Sequence, residues 1–255
     1  GDDKSCSLHS RGYCRCSGEG PDIQYMWGGT QAMEDVWKGN VAPISDYISE
    51  EELSVIPKSA LAQTNWNGKQ WGIPAYGFTY GIAYDKEAMR TAGVDPENPF
   101  TTWDEFLECC EKLKSSGITP LGMGLKDGYL PAWIGIFLGQ QNMDSVNDMI
   151  SLMSGQESFT DKKYSEWLEK IAELKEAGYI NEDILSLDLY QGQQLIESKK
   201  AAMTLHTQPY AVSLEKSLGS DQIGFAKAPV FGTGKFAVHA GPADHERHRR
   251  DAHDL

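Results

Sequence analysis

Apolar positions along the chain follow two alternating rhythms. Short apolar runs are separated by longer stretches in which apolar residues return at helical spacing. Residues 23–27 predict a strand, led in by Pro21-Asp22, and Gly28-Gly29-Thr30 turns it into a helix over 31–39. Residues 41–48 read as a loop with an edge strand, and 51–62 as a helix that starts acidic. The run 71–74, closed by Pro74, reads as extended, and 81–84 as a strand with Asp85 capping the helix that runs to Ala92 and stops at Gly93. Thr102 caps the next helix and Glu105 completes a capping box. Trp103, Phe106, Leu107, Cys110 and Leu113 then fall on one face, so this helix packs on a core. A strand is expected between 117 and 124, and an apolar helix over 133–138. Phe159 and Tyr164 flank Thr160 as a hydrophobic staple. The helix that follows places Tyr164, Trp167, Leu168, Ile171 and Leu174 inward and stops at Gly178. A helix over 189–200, a strand over 201–205, a loop over 206–210 and a strand over 223–226 complete the pattern. Strands alternating with helices predict α/β layers.

The stretch 68–86, GKQWGIPAYGFTYGIAYDK, interrupts this rhythm with aromatics and almost no charge. Such a segment is either buried core or the lining of a cleft for an amphipathic ligand. It also resembles the crossover segment of family 1 extracellular solute-binding proteins, the maltose-binding-like proteins of ABC importers. Gly20-Pro21-Asp22-Ile23, Thr102-Trp103-Asp104-Glu105-Phe106 and Ala201-Ala202-Met203 agree with that family in the same order. The resemblance covers residues 17–244. It implies a two-lobed periplasmic-binding-protein type II fold. Residues 17–78 and 227–244 would form a discontinuous first lobe and 79–226 the second, with strand crossings near Thr79 and Lys227. It implies a ligand held in the inter-lobe cleft by hinge closure, and a closed form read by a membrane permease. The expected setting is extracytoplasmic, in the periplasm or lipid-anchored at the cell surface. No cofactor and no metal are expected, and the chain is expected to be monomeric. By the same resemblance a first strand and helix should precede residue 20 and more chain should follow the return. The first lobe is therefore expected to be incomplete, with an open sheet edge and exposed apolar surface.

Composition narrows this picture in a few places. The chain has 255 residues and a net charge of −14. That charge argues against nucleic acid and against anionic membrane surfaces as partners. No apolar run reaches the roughly 18 residues that span a bilayer. An exported protein needs a signal segment and none is visible, so the chain is expected to be a mature form or a fragment. Cys6, His9, Cys14 and Cys16 crowd the start, at a spacing that matches no standard zinc pattern. Cys110 is expected in the core and Cys109 partly exposed. Residues 1–16 and 245–255 lack any apolar periodicity. They are expected to be non-native or disordered tails, arising from a frame change, truncation or simple disorder.

A search for catalytic patterns finds no GxSxG elbow, no HExxH and no recognisable glycosidase carboxylate pair. What stands out is aromatic residues at strand ends, where α/β clefts form. Trp27, Tyr76, Tyr80, Trp133 and Tyr210 are the candidate stacking residues. Asn65, Thr30, Asp127, His206 and Gln208 are their candidate polar partners, with Thr207 beside them. A pyranose presents an apolar C–H face to a ring and in-plane hydroxyls to such groups. Trp27 and Tyr76 read equally well as core, and Trp66, Trp71 and Trp103 are better core rings than contacts. The family places a Gly-x-Trp in the loop that here reads His206-Thr207-Gln208-Pro209-Tyr210, so Tyr210 is expected to stack on ligand in place of that tryptophan. The resulting expectation is a binding protein for a mono- or oligosaccharide. A carbohydrate-active enzyme with an aromatic cleft, or a binding protein for a peptide or polyamine, are the alternatives.

Overall fold

The computed structural model describes residues 22–25, 30–77, 79–219 and 221–234. The chain divides into two compact units, residues 1–77 and 78–255. The expected strand over 23–27 is not formed at 22–25, and its remainder, with the unusual first and last stretches, lies outside the described residues.

The first unit is built from short pieces. Helix α1 (Thr30–Trp37) is followed by a 3-10 turn (Ile44–Asp46), helix α2 (Glu50–Leu53) and helix α3 (Lys58–Leu61). A second 3-10 turn leads into a hairpin of β1 (Asn65–Trp66) and β2 (Lys69–Gln70). The helix expected over 51–62 is thus two helices. Pro57 lacks an N–H and restricts the residue before it, so the first helix must end and a new one starts with Pro57 as its N-cap. Ser49 caps α2 in a capping box with Glu52. The edge strand expected near 41–48 is a 3-10 turn instead, and residues 71–74 are extended but carry no strand pairing. Gln70, buried, ties this region together: its amide donates to the carbonyls of Leu61 and Gly72. The core of this unit is small, Met33 and Val36 with Val41 and Trp71 against them.

The second unit contains a four-stranded sheet, in the order β4-β5-β3-β6. In chain order its elements are β3 (Tyr80–Asp85), α4 (Lys86–Thr91), α5 (Trp103–Ser115), β4 (Thr119–Leu121) and α6 (Tyr129–Gly139). There follow α7 (Val146–Met153), α8 (Lys162–Glu176), α9 (Leu189–Glu197), β5 (Ala201–Thr207), α10 (Gln208–Leu218) and β6 (Ile223–Ala226). β3 runs antiparallel to β5 and β6, and β4 runs parallel to β5. Asp85 caps α4 through the amides of Glu87 and Ala88, and Thr102 with Glu105 forms the capping box read from the sequence. All seven residues of β5 are buried, so both of its faces are covered. One core joins Ile82, Tyr84, Met203 and Leu205 to the apolar faces of α5, α6 and α8. The other joins Ala83 to Ile196 of α9 and to Tyr210, Ala211 and Leu214 of α10.

Three expectations are corrected here. Cys109 is buried like Cys110, because the first turns of α5 sink two adjacent positions against Met89 and the core. Phe159 is exposed and Asp161, not Thr160, is the N-cap of α8, so no staple forms. Leu168 is exposed on α8, while Tyr164 and Leu174 are buried. Residues 229–231 lie against α5 and the end of α6. Val230 exchanges backbone bonds with Thr101 and Trp103. The buried Gln141 side chain donates to the Pro229 carbonyl at 3.0 Å and accepts from Phe231 N–H at 3.0 Å.

Candidate functional site

The carboxyl ends of the parallel pair β4 and β5 lie at the end of the sheet where β3 begins. Tyr80 pairs across with Thr207, and Gly81 with His206. In α/β sheets this is where the chain leaves strands for loops and helices and where ligands collect. The candidates of the second unit gather around it.

Tyr80 opens β3, and its ring lies 5.8 Å from that of Trp133, tilted by 52°. Trp133, in the second turn of α6, meets the His206 ring edge-on at 5.2 Å. His206 in turn lies 4.1 Å from Tyr210. The four rings form a continuous series. Tyr80 and Trp133 are half-buried, while His206 and Tyr210 are buried. Burial pushes the Tyr80 and Tyr210 phenols up and the His206 imidazole down to about 4. His206 is therefore neutral around neutral pH.

Both nitrogens of His206 are occupied. Nδ1 accepts from the backbone N–H of Thr207 at 2.7 Å. A neutral imidazole that accepts at Nδ1 carries its proton on Nε2. Nε2 faces the Gln193 side-chain amide through the amide nitrogen, and turning that amide by 180° presents the oxygen, the group that can receive the Nε2 proton. Tyr210 donates its hydroxyl to the Gln193 carbonyl at 3.1 Å.

The expected loop over 206–210 is not present. β5 continues to Thr207 and α10 starts at the next residue. Pro209 sits in the first turn of α10, a position where its missing N–H costs nothing. That proline was the available signal. As a consequence His206 and Tyr210 lie beneath the surface, and Gln208 and Pro209 are exposed. Gln193 was not legible as a partner, since nothing local ties it to a residue thirteen positions on.

Asp127 precedes α6. Its Oδ2 accepts from the Leu189 N–H at the start of α9, at 3.2 Å. Its Oδ1 is buried and has no hydrogen-bond partner among the described residues. The contact depends on two glycines. A Cβ on Gly192 would stand 2.4 Å from the Gly124 nitrogen, and one on Gly124 would stand 2.0 Å from the Asp188 carbonyl oxygen. Only glycine lets the segment after β4 approach α9 this closely. Tyr129, two residues beyond Asp127, is exposed in the first turn of α6.

In the first unit Tyr76 is exposed. Its ring stacks on Tyr25 at 6.3 Å with an interplanar angle of 7°, and the two hydroxyls are hydrogen-bonded at 2.6 Å. That shared bond pushes the Tyr25 phenol up. Asn65 lies exposed in β1. Thr30 is the first residue of α1, and Trp27 lies outside the described residues. Trp66 is exposed and meets Trp37 edge-on at 5.6 Å, whereas Trp103 is a core ring as expected.

Among the described residues no group of His, Cys, Asp and Glu is arranged to hold a metal. No described helix is long and apolar enough to cross a membrane.

Comparison with known proteins gives this geometry a family. A profile of bacterial extracellular solute-binding proteins matches residues 17–245. An uncharacterized ABC transporter extracellular-binding protein of Pyrococcus horikoshii is 24% identical over 190 residues, covering 74% of this chain and 42% of the relative. An sn-glycerol-3-phosphate-binding periplasmic protein of Shigella flexneri is 31% identical over 101 residues, covering 37% of this chain and 22% of the relative. A chitin oligosaccharide binding protein of known structure superposes with a TM-score of 0.73 at 25% identity, covering 88% of this chain and 55% of its own. The chain thus spans about half or less of the length of these relatives. Those with a stated role are binding proteins, and the fold is the α/β one of the two-lobed type II periplasmic binding proteins. The chain belongs to the bacterial extracellular solute-binding protein family.

Proposed function

We propose that this protein is the ligand-capturing component of an ABC importer and that its ligand is a mono- or oligosaccharide. The observation that supports this most is the end of the second unit's sheet. There Tyr80 and Trp133 form a half-buried ring pair, and Asp127, six residues before Trp133 in the chain, has one buried oxygen without a partner among the described residues. Aromatic faces take the C–H side of a pyranose, and a carboxylate oxygen takes a hydroxyl proton. An unpartnered buried acceptor is costly, and a ligand hydroxyl would relieve that cost.

The proposal keeps the hinge mechanism expected from the sequence. A ligand that binds one hinge state better than another shifts the population toward it. A permease would read that state, at the outer face of the membrane. Function as a binder rather than an enzyme is part of the same proposal, since the site offers stacking and acceptor groups and no acid–base pair.

The test is a thermal-shift panel of monosaccharides, chito- and malto-oligosaccharides, sn-glycerol 3-phosphate, peptides and polyamines. One sugar class should raise the melting temperature, because ligand at a hundredfold excess over Kd adds about 2.7 kcal/mol to the folded state. That sugar should be recovered chemically unchanged. A response confined to polyamines or peptides would overturn the carbohydrate reading, and a converted sugar would overturn the binding reading. With the responding sugar, Asp127→Asn should weaken binding about tenfold, a loss of roughly 1.4 kcal/mol. It keeps the acceptor for Leu189 N–H and replaces the free oxygen by a donor.

A further inference from the structure

The half-buried ring of Trp133 is held from below by a part of the fold that touches solvent very little. Gln193 of α9 makes two bonds at once: its side-chain amide holds His206 Nε2, and its carbonyl accepts from the Tyr210 hydroxyl at 3.1 Å. His206 and Tyr210 are in ring contact at 4.1 Å. The three residues therefore lock one another in a closed loop, and all three are at least nine-tenths buried. The imidazole cannot rotate about its ring axis, because Thr207 N–H fixes Nδ1 and Gln193 fixes Nε2. The Trp133 ring meets the imidazole at 5.2 Å and 78°, and Tyr80 lies 5.8 Å from the same indole.

We propose that Gln193 and His206 are positioning residues for Trp133: by fixing the imidazole they fix the indole, and so set the affinity of the site for a sugar ring. This rests on the carbohydrate reading above. The physical reason lies in the geometry that stacking demands. An indole free to tilt forfeits contact over the whole ring face, whereas one clamped in place meets the ligand pre-oriented. A polar pair buried beneath an aromatic residue is a costly way to fill space. A Leu and a Phe would pack there without an obligatory partner for each nitrogen. What the polar pair adds is a single allowed orientation.

The experiment uses the full chain labelled with 5-fluorotryptophan, with the Trp133 resonance identified from Trp133→Phe. Two variants are compared. Gln193→Leu removes the amide that faces Nε2, and Gln193→Glu puts an acceptor of the same reach in its place. Chitotriose and maltotriose serve as probes. The expected result is that Gln193→Leu shifts or splits the Trp133 resonance and weakens sugar binding about tenfold. Gln193→Glu should retain the wild-type resonance and most of the affinity. That rescue separates positioning from packing, since the two replacements are similar in size. An unmoved Trp133 resonance in Gln193→Leu overturns the proposal, and so does a moved resonance with unchanged affinity. A wild type that binds neither sugar overturns the affinity half of this proposal, while the wider panel above decides the carbohydrate reading. The fluorine signal then still decides the orientation half.

Discussion

At the scale of single residues, the most consequential one is His206. As a histidine at the end of a small-residue strand it reads as a ligand donor. The structure places it under the surface with both nitrogens engaged. Its pKa falls from 6.5 to about 4 because burial disfavours the charged ring. In the unfolded chain the ring still titrates near its ordinary value, so between the two pKa values the unfolded state binds the extra proton. The stability owed to this group is full above about pH 6.5 and is lost as pH falls toward about 4. The full loss is on the order of 3 kcal/mol. Denaturant titrations at a series of pH values should show this decline, and His206→Asn should flatten it. An equal decline in the variant would assign the effect to other groups. Asp127 is the opposite case. Its candidacy was legible in the sequence, but its bond to Leu189 N–H was not. By accepting from Leu189 N–H it supplies part of the N-terminal cap of α9. Asp127→Ala should therefore cost about 1 kcal/mol of stability, besides any loss of ligand, while Asp127→Asn should not.

At the scale of elements, local chemistry was a sound guide wherever the deciding residues are neighbours. Asp85 before α4, and Thr102 with Glu105 on α5, form the caps read from the sequence. Removing the Thr102 side chain should destabilise the protein by about 1 kcal/mol, measured by denaturant midpoint, because Glu105 N–H loses its acceptor. Hydrogen bonds from Thr101 and Thr102 N–H hold the Glu105 carboxyl below the usual range, so this cap weakens as pH falls through that lowered value. Elements misread from sequence have identifiable causes. Pro57 splits one expected helix into α2 and α3. Pro209 starts α10 directly after β5, and overlooking it made a loop of a helix. In both places proline was visible and its positional meaning outweighed the apolar rhythm around it.

At the scale of the whole molecule, the two units differ in how much apolar surface they enclose. The second has two cores against a four-stranded sheet and a smaller cluster of Met143, Leu152 and Tyr164, and the first has Met33 and Val36 with two flanking residues. Burial supplies stability roughly in proportion to apolar area. Native-state hydrogen exchange should accordingly show amides of β3 and β5 protected well beyond those of α1 and the β1–β2 hairpin. Equal protection in both units would contradict this account. The chain's α/β class, a strand at 81–84 and the resemblance to its family were all available from sequence. They depend on periodicity, caps and short ordered motifs, which are local in the chain. Residues 229–234 pack on the second unit through Gln141, about ninety positions away, and no local pattern announces such a bond. The same holds for the site. Composition and spacing picked out Tyr80, Trp133 and Asp127 as residues of the right type at strand ends. Only the tertiary structure decided that His206 and Tyr210 face inward, and that Gln193 is what holds them. Burial and hydrogen-bond partnership are properties of how distant segments meet, and a sequence read locally contains the residues for both without the meeting.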